Sequence, residues 1–521
     1  MLDSLRHGLR FMRVAHALAR HDALFWVRDI GPAPAMLKAT ILLVSRFARR
    51  RRGLPEDEGE RLAAALRSLG PAYIKLGQML ATRPDLIGSN VARGLRALQD
   101  KLPPFAAEEA KRRLADQLEQ PVDVLFARFE EEAVAAASIA QVHKAETADG
   151  RAVAVKILRP GIEAQFRRDL AAFAWAARFT ERTIPAARRL RPVAVVETIA
   201  QSVAQELDLR LEAAAASELA ETMAGEGDYR VPEVDWERTT KRVLTLEWIE
   251  GIPLWDTEAL ERAGHDRSRL AATVVRAFLL QAMRDGYFHA DLHQGNLFVE
   301  ESGTIVALDF GIMGRLDLLS RRYLAEILFG FQQRDYRRVA RWHFSAGYVS
   351  AEHSVGQFAQ AMRAIAEPIF GRAARDISAG RLLGQLFATT ETFGMETQPQ
   401  LLLLQRSMVM VEGLALHLDP EANMWTLSRP VIKEWMREQL APEHAAADAV
   451  NELLASAADW PVLIRRARSV LEGLESGTIP VRPQPPPEQP AEARSSMLRG
   501  TLLLILGAVG GAAAMGAVLL L

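Results

Sequence analysis

Three polar residues carry the strongest chemical signal in the sequence. The stretch His289-Ala290-Asp291-Leu292-His293-Gln294-Gly295-Asn296 is followed by an apolar strand pattern, a Ser302-Gly303 turn, a second apolar strand pattern and Asp309-Phe310-Gly311. Phosphoryl transfer needs a carboxylate to orient or deprotonate the acceptor and oxygen ligands to hold Mg2+ against nucleotide phosphates. Asp291, Asn296 five residues on, and Asp309 after the second strand supply these groups in the order of a kinase catalytic loop and Asp-Phe-Gly turn. A rival zinc reading of His289 and His293, at i and i+4, founders on Ala290, where a metalloprotease needs glutamate. His289 is expected to be a structural imidazole bonding the catalytic loop.

Other elements must bring a nucleotide to this chemistry. Val153 to Leu158 reads as a β-branched strand whose alternation puts Ala154 and Lys156 on one face, leaving room for a flat base beside an ammonium aimed at phosphates. A preceding strand, Gln141 to Ala145, pairs with it through the Asp149-Gly150 turn. That pairing places the run Ala135, Ala136, Ala137, Ser138, Ile139, Ala140 and Gln141 where nucleotide phosphates pass. Methyl side chains hold a backbone farther from phosphate than glycine does, so this loop should grip nucleotide in its own way. Lys156 needs an acidic partner, and Glu206 and Glu212 compete for it. Both fall, with Asp208, on one predicted helix spanning Val203 to Ala214. Leu246 to Gly251 ends a strand and should form a hinge between lobes, with backbone near Glu247 available to adenine.

Taken together these residues resemble the UbiB (AarF-type) atypical kinases of the protein-kinase-like superfamily. The resemblance rests on Lys75-Leu76-Gly77-Gln78, Ala135 to Val142, Glu206-Leu207-Asp208 and the Gln398-Pro399-Gln400 helix start, besides the kinase-type elements. Phe288-His289-Ala290-Asp291 and Val411-Glu412-Gly413 look most like the ubiquinone-biosynthesis branch. The resemblance implies ATP and Mg2+ as cofactors, Asp291 as catalytic aspartate, Asn296 and Asp309 as metal ligands, Lys156 as nucleotide lysine and Glu212 as its ion-pair partner. It also implies that a helical extension carrying Lys75 and Gln78 covers the cleft where a kinase receives peptide, with Glu206 and Asp208 facing it in a regulatory role. The implied activity is ATPase-like and supports aerobic ubiquinone biosynthesis. Its partners would be membrane lipids, quinone precursors and the enzymes that modify them. A protein or small-molecule kinase, or a nucleotide-binding scaffold without turnover, are the alternatives. The Lys75 segment also reads physically: Pro71 suits a helix start and Pro84 a stop, and Lys75 and Gln78 share a face. Gly77 inside that helix costs about 1 kcal/mol relative to alanine, which close packing against another backbone would offset.

Composition sets the outer limits. The 521 residues are 49% hydrophobic and 25% charged, the balance of a folded protein, and they allow several domains. With no cysteine, disulfides, thiolate metal sites and a cysteine nucleophile are excluded. A net charge of −1 gives no field for nucleic acid. Near the N-terminus Leu5, Leu9 and Met12 form a stripe beside Arg6, Arg10 and Arg13, which suits either a lipid surface or an ordinary packed helix. Gly500 to Leu521 carries no charge and, at ~1.5 Å per residue, is long enough to cross a hydrocarbon core of ~30 Å. Arg494 and Arg499 before it favour a body on the cytoplasmic side, and the resemblance implies that the membrane is a bacterial inner membrane. The expected architecture is α+β, a two-lobed protein-kinase-like fold with a helical N-terminal extension and a C-terminal transmembrane helix. Its expected divisions are an extension over 1–125, an N-lobe over 126–250, a helical C-lobe over 251–478, a Pro-rich linker over 479–498 and the anchor over 499–521.

Overall fold

The computed structural model describes residues 13–25, 53–81, 87–95, 98, 103–183, 191–367, 393–395 and 399–439. The expected linker, the anchor and the basic N-terminal stripe up to Met12 lie outside these residues. No described helix is long and apolar enough to cross a membrane. The chain divides into two compact units, one drawn from Met1–Ala213 and Val234–Trp248, the other from Ala214–Glu233 and Ile249–Glu488.

The first unit joins a helical layer to an antiparallel sheet. Helices α1 (Glu58–Leu69), α2 (Pro71–Ala81) and α3 (Ser89–Leu95) come first. Asp57 caps α1 by accepting from the Glu60 N–H at 2.9 Å, and Pro71 opens α2 where its missing N–H costs nothing. Leu62, Leu66, Ile74 and Leu95 bury together with Phe166 and Phe173 of a later helix, α5 (Ile162–Thr183). Tyr73 meets Phe173 edge to face at 5.0 Å and ties α2 to α5.

Gly77 is tightly packed, though its neighbours differ from expectation. A methyl there would strike the Leu66 and Leu98 side chains, so leucine methyls rather than a backbone fill the space. The close backbone crossing lies instead between α1 and α3, where a methyl on Gly59 would sit 2.7 Å from the Val91 carbonyl oxygen and 2.9 Å from the Gly94 Cα.

Helix α4 (Ala107–Leu118) leads into the sheet, whose strands are β1 (Phe126–Phe129), β2 (Ala135–Ala136), β3 (Ala140–Thr147), β4 (Ala152–Leu158) and β6 (Val243–Glu247). Their order is β1-β3-β4-β6, with β2 also paired to β3. Period-two alternation decides the faces of β4: Val153, Val155 and Ile157 bury against Ala110 and Leu114 of α4, and Ala154 and Lys156 take the other face. In register, Lys156 lies opposite Val142 on one side and Leu244 on the other.

The helix predicted over Val203 to Ala214 is in fact two. Helix α6 (Pro192–Glu206) stops, Leu207 and Asp208 break the run, and α7 (Leu209–Met223) starts afresh. The cause is local: the Asp208 carboxylate accepts from the Arg210 N–H at 3.3 Å, the helix-starting bond that short acidic side chains form readily. Glu206 and Glu212 therefore sit on different helices.

The second unit holds a four-stranded sheet ordered β5-β10-β9-β7 and a two-stranded ribbon of β8 with β11. Its strands are β5 (Tyr229–Arg230), β7 (Ile252–Pro253), β8 (Tyr287–His289), β9 (Leu297–Val299), β10 (Ile305–Ala307) and β11 (Met313–Arg315). The hairpin of β9 and β10 turns at Gly303, whose φ of +83° favours glycine. Around them lie α8 (Arg267–Leu279), α9 (Leu318–Gln332), α10 (Tyr336–Ser345), α11 (Val355–Ala366), α12 (Pro399–Leu418) and α13 (Met424–Gln439). Asp266, Asp317 and Asp335 cap α8, α9 and α10 by accepting from backbone N–H groups of Arg269, Ser320 and Arg338. Past α8 the backbone loosens into a π-helical turn, Leu280–Asp285, directly before β8.

Candidate functional site

In the first unit Lys156 projects from mid-β4, and its ammonium donates to both Glu212 carboxylate oxygens at 2.7 and 2.9 Å. Glu212 stands in the first turn of α7 with its side chain only 9% exposed. Glu206, the competing acid, forms an ion pair with Lys75 of α2. Asp208 spends its carboxylate on the Arg210 guanidinium, at 2.7 and 2.9 Å, and those bonds hold it below the usual carboxylate range.

The alanine-rich segment forms β2 and then a tight turn, closed where the Ala137 N–H donates to the Ala140 carbonyl at 2.8 Å. Arg159, just past β4, pins this turn twice. Its backbone N–H donates to Ile139 O at 2.8 Å and its Nε donates to Ala137 O at 2.8 Å. Gln141 is wholly buried, accepting from the Phe105 N–H at 2.8 Å and lying 2.8 Å from His143 Nε2. Its amide therefore braces the sheet beneath the turn. Glu247 ends β6, and the next residue, Trp248, donates from its backbone to Ala152 O at 3.0 Å.

In the second unit the catalytic loop leaves β8 at His289, which is fully buried. The His289 Nδ1 accepts from the Asp291 N–H at 3.1 Å and its Nε2 donates to Leu308 O at 3.1 Å. Those bonds require the neutral ring with the proton on Nε2, and burial accordingly holds its pKa below the usual histidine range. With both nitrogens engaged by backbone, His289 has none to offer zinc. Gln281 of the π-helical turn completes the arrangement by accepting from the His289 N–H at 3.1 Å; such turns recur at functional sites.

Asn296 Nδ2 donates to Asp291 O at 3.2 Å, and Asn296 O accepts from the Leu308 N–H at 2.8 Å. One short network thus joins Asp291, Asn296 and the residue before Asp309. Asp309 itself has φ +64°, a left-handed conformation uncommon outside glycine. Strain of this kind marks sites where side-chain direction matters. From α12, Arg406 donates to Asp291 Oδ1 at 3.1 Å, and Ser407 Oγ donates to Ala290 O at 3.3 Å.

The donor set fits Mg2+. With its Nδ2 used as a donor, Asn296 has its amide oxygen left for a cation, and Asp309 adds a carboxylate. Two hard oxygen donors suit an ion that keeps several waters and takes the rest of its shell from phosphates. Among the described residues no group of three or more His, Asp or Glu is arranged to hold a metal by itself.

Comparison with known proteins identifies the lineage. Residues 97–343 match the ABC1 atypical kinase-like domain and residues 362–423 the UbiB helical domain. A "Probable protein kinase UbiB" of Pseudomonas paraeruginosa is 41% identical over 517 residues, 97% of this chain and 94% of that protein. Its namesake in Marinobacter nauticus is 42% identical over 79% of this chain and 76% of its own length. The chain belongs to the UbiB family. Among solved structures, the Mycobacterium tuberculosis Rv3197–erythromycin complex is 25% identical, with a TM-score of 0.49 over 75% of this chain and 97% of that one.

For a UbiB-family chain the alanine-rich turn invites a direct test. Replacing Ala136 by glycine frees a backbone that Arg159 and the β3 pairing otherwise hold, a change worth about 0.5–1 kcal/mol of conformational freedom. ATP and ADP affinities in a calorimetric titration should move by a few-fold, and affinities unchanged from wild type would count against a nucleotide role for the turn.

The buried histidines predict a pH dependence. His143, His289 and His343 are each held below the ordinary histidine range by burial. The unfolded chain therefore takes up protons as pH falls through about 6.5 while the native state resists them. Stability conferred by the neutral rings is complete above that value and is lost as pH drops towards the folded pKa values. Urea midpoints should decline from pH 7.5 to 5; a flat profile across that window contradicts the assignment.

Proposed function

We propose that this UbiB-family protein is a Mg2+-dependent, ATP-hydrolysing kinase-like enzyme that supports aerobic ubiquinone biosynthesis by acting on lipid quinone precursors or on access to them. The observation that carries this reading is the bonded network linking Asp291, Asn296 and the Leu308-Asp309 step. Lys156, fixed by Glu212, engages nucleotide phosphates. Asp291 orients water or another acceptor, and Asn296 and Asp309 hold Mg2+. The ion, when bound, neutralises phosphate charge that would otherwise repel an incoming oxygen. The Lys75–Glu206 pair ties α2 to the end of α6 and gives the extension a regulatory contact; Gln78 and Asp208 belong to the same regulatory set. Residues 479–498 are a tether and 499–521 a membrane anchor, leaving the body on the cytoplasmic side near its lipid partners and the biosynthetic enzymes.

Incubating the full chain with γ-labelled ATP, Mg2+ and membranes containing quinone precursors tests the reading. Label should appear as free phosphate. Transfer of label to a lipid, sugar or protein, with little free phosphate, would replace the ATPase reading by that of a kinase. A scaffold without turnover draws some support from Arg406, which occupies one oxygen of Asp291. Full rescue of a strain lacking the native protein by a variant unable to hydrolyse ATP would favour that scaffold.

A further inference from the structure

Helix α4, the Leu158–Gly161 loop and the start of α5 line a cavity of about 340 Å3 in the first unit. Five arginines line it: Arg112, Arg113, Arg159, Arg167 and Arg242. Three carboxylates answer them, from Glu109, Asp116 and Glu163. Glu109 is shared between Arg112 and Arg113, and Glu163 accepts from Arg242 at 2.7 Å. Arg167 makes no hydrogen bond or ion pair with a described residue and is exposed to solvent. Five positive against three negative groups leaves the lining two charges in excess. Arginine cannot shed that charge at any working pH.

A dianion restores neutrality, and a phosphate monoester carries nearly two negative charges at pH 7. Guanidinium forks match phosphate oxygens in two-point fashion; in the first turn of α5 the Ile162 and Gln165 N–H groups already donate to Arg159 O and Gly161 O, at 3.3 and 3.0 Å. The volume lies at the small end of ligand pockets, suited to a phosphate or diphosphate group rather than a whole nucleotide.

Arg159 gives the cavity a consequence. Arg159, one of the lining residues, donates from its Nε to Ala137 O in the alanine-rich turn, and its backbone N–H holds Ile139 O. An anion that draws the guanidinium towards itself weakens the bond to Ala137 and loosens the turn.

We propose that this cavity binds a phosphate-type dianion, either a free phosphate or diphosphate group or an anionic phospholipid headgroup, and that its occupancy adjusts the alanine-rich turn through Arg159. The coupling rests on the nucleotide reading above, whereas the binding does not. Coupling of this kind is reciprocal, so nucleotide at the turn alters anion affinity by the same factor.

Calorimetric titration of the full chain with inorganic pyrophosphate tests the binding. A pyrophosphate site is expected that persists in Lys156→Met, whatever binding the nucleotide lysine adds in the wild type, and that is weakened about tenfold or more in Arg112→Ala/Arg167→Ala, whose two side chains are exposed and cost the fold little. Arg112→Lys/Arg167→Lys keeps the charge without the fork and should fall between. Loss of binding in Lys156→Met, with none in the arginine variants, would assign the anion to the nucleotide lysine and overturn the proposal. Flotation with phosphatidate or phosphatidylcholine vesicles separates the sources. Arginine-dependent preference for phosphatidate without pyrophosphate binding assigns the headgroup, pyrophosphate binding without that preference assigns the free ion, and the absence of both overturns the site. For the coupling, saturating pyrophosphate should change ADP affinity in the wild type and not in Arg159→Lys. Unchanged ADP affinity in the wild type overturns the coupling, while failure of ADP to bind at all overturns the nucleotide reading and leaves the anion site standing.

Discussion

Replacing Asp291 by asparagine is expected to lower ATP turnover by about 10²- to 10⁴-fold, the usual worth of a positioned carboxylate that accepts or orients a proton. The fold should survive it. Asparagine keeps the shape, and the loop is held by the His289, Asn296 and Gln281 bonds, which use the backbone of residues 289 and 291 rather than the Asp291 carboxylate. The charge partner that is lost, Arg406, is 44% exposed, so that ion pair contributes roughly 0–1 kcal/mol. Nucleotide affinity should change little. Steady-state phosphate release alongside a urea melt separates these effects, and a variant that loses several kcal/mol of stability would show that Asp291 is a structural residue.

Lys156→Met has the second large effect, on stability as well as nucleotide. The Glu212 side chain is 9% exposed and that of Lys156 21%, so removing the cation leaves a nearly buried carboxylate without its charge. Breaking such a pair costs about 3 kcal/mol, less if the exposed side of Lys156 lets water in. Changing both partners, in Lys156→Met/Glu212→Leu, should recover most of that stability but none of the nucleotide affinity, because the desolvation penalty disappears along with the phosphate contact. Denaturant midpoints of the two single variants and the double one measure this coupling. Additive losses would contradict a direct pair.

What the sequence made legible is what local rules determine. Alternation placed Ala154 and Lys156 on one face of β4, and the Ser302-Gly303 turn announced the hairpin of β9 and β10. Pro71 marked the start of α2. Where local and long-range demands compete, the reading fell short. The apolar spacing from Val203 to Ala214 suits a continuous helix, yet the Asp208 carboxylate starts a new one, and this alone separates the Lys75 partner from the Lys156 partner. Gly77 did signal tight packing, but no pattern in one strand of sequence tells whether leucine side chains or a backbone will fill the gap.

The residues that brace the candidate site were the least visible. Arg406 lies 115 positions after Asp291, and nothing in its surroundings distinguishes it from any helical arginine. Gln281 acquires its role because a π-helical turn aims it at the His289 N–H. Arg159 had the better signal, directly after the strand bearing Lys156, though its hold on Ala137 emerges only once β2, β3 and β4 pair.

The most direct measurement is phosphate release from γ-labelled ATP by the full chain across a Mg2+ titration, with wild type and Asp309→Asn run side by side. Wild type should turn over ATP only when Mg2+ is present, and Asp309→Asn, folded by circular dichroism, should need far more Mg2+ or show no turnover. Equal Mg2+ dependence and equal rates in the two proteins would contradict the assignment of Asp309 to the metal, and with it the phosphoryl-transfer chemistry assigned to this site.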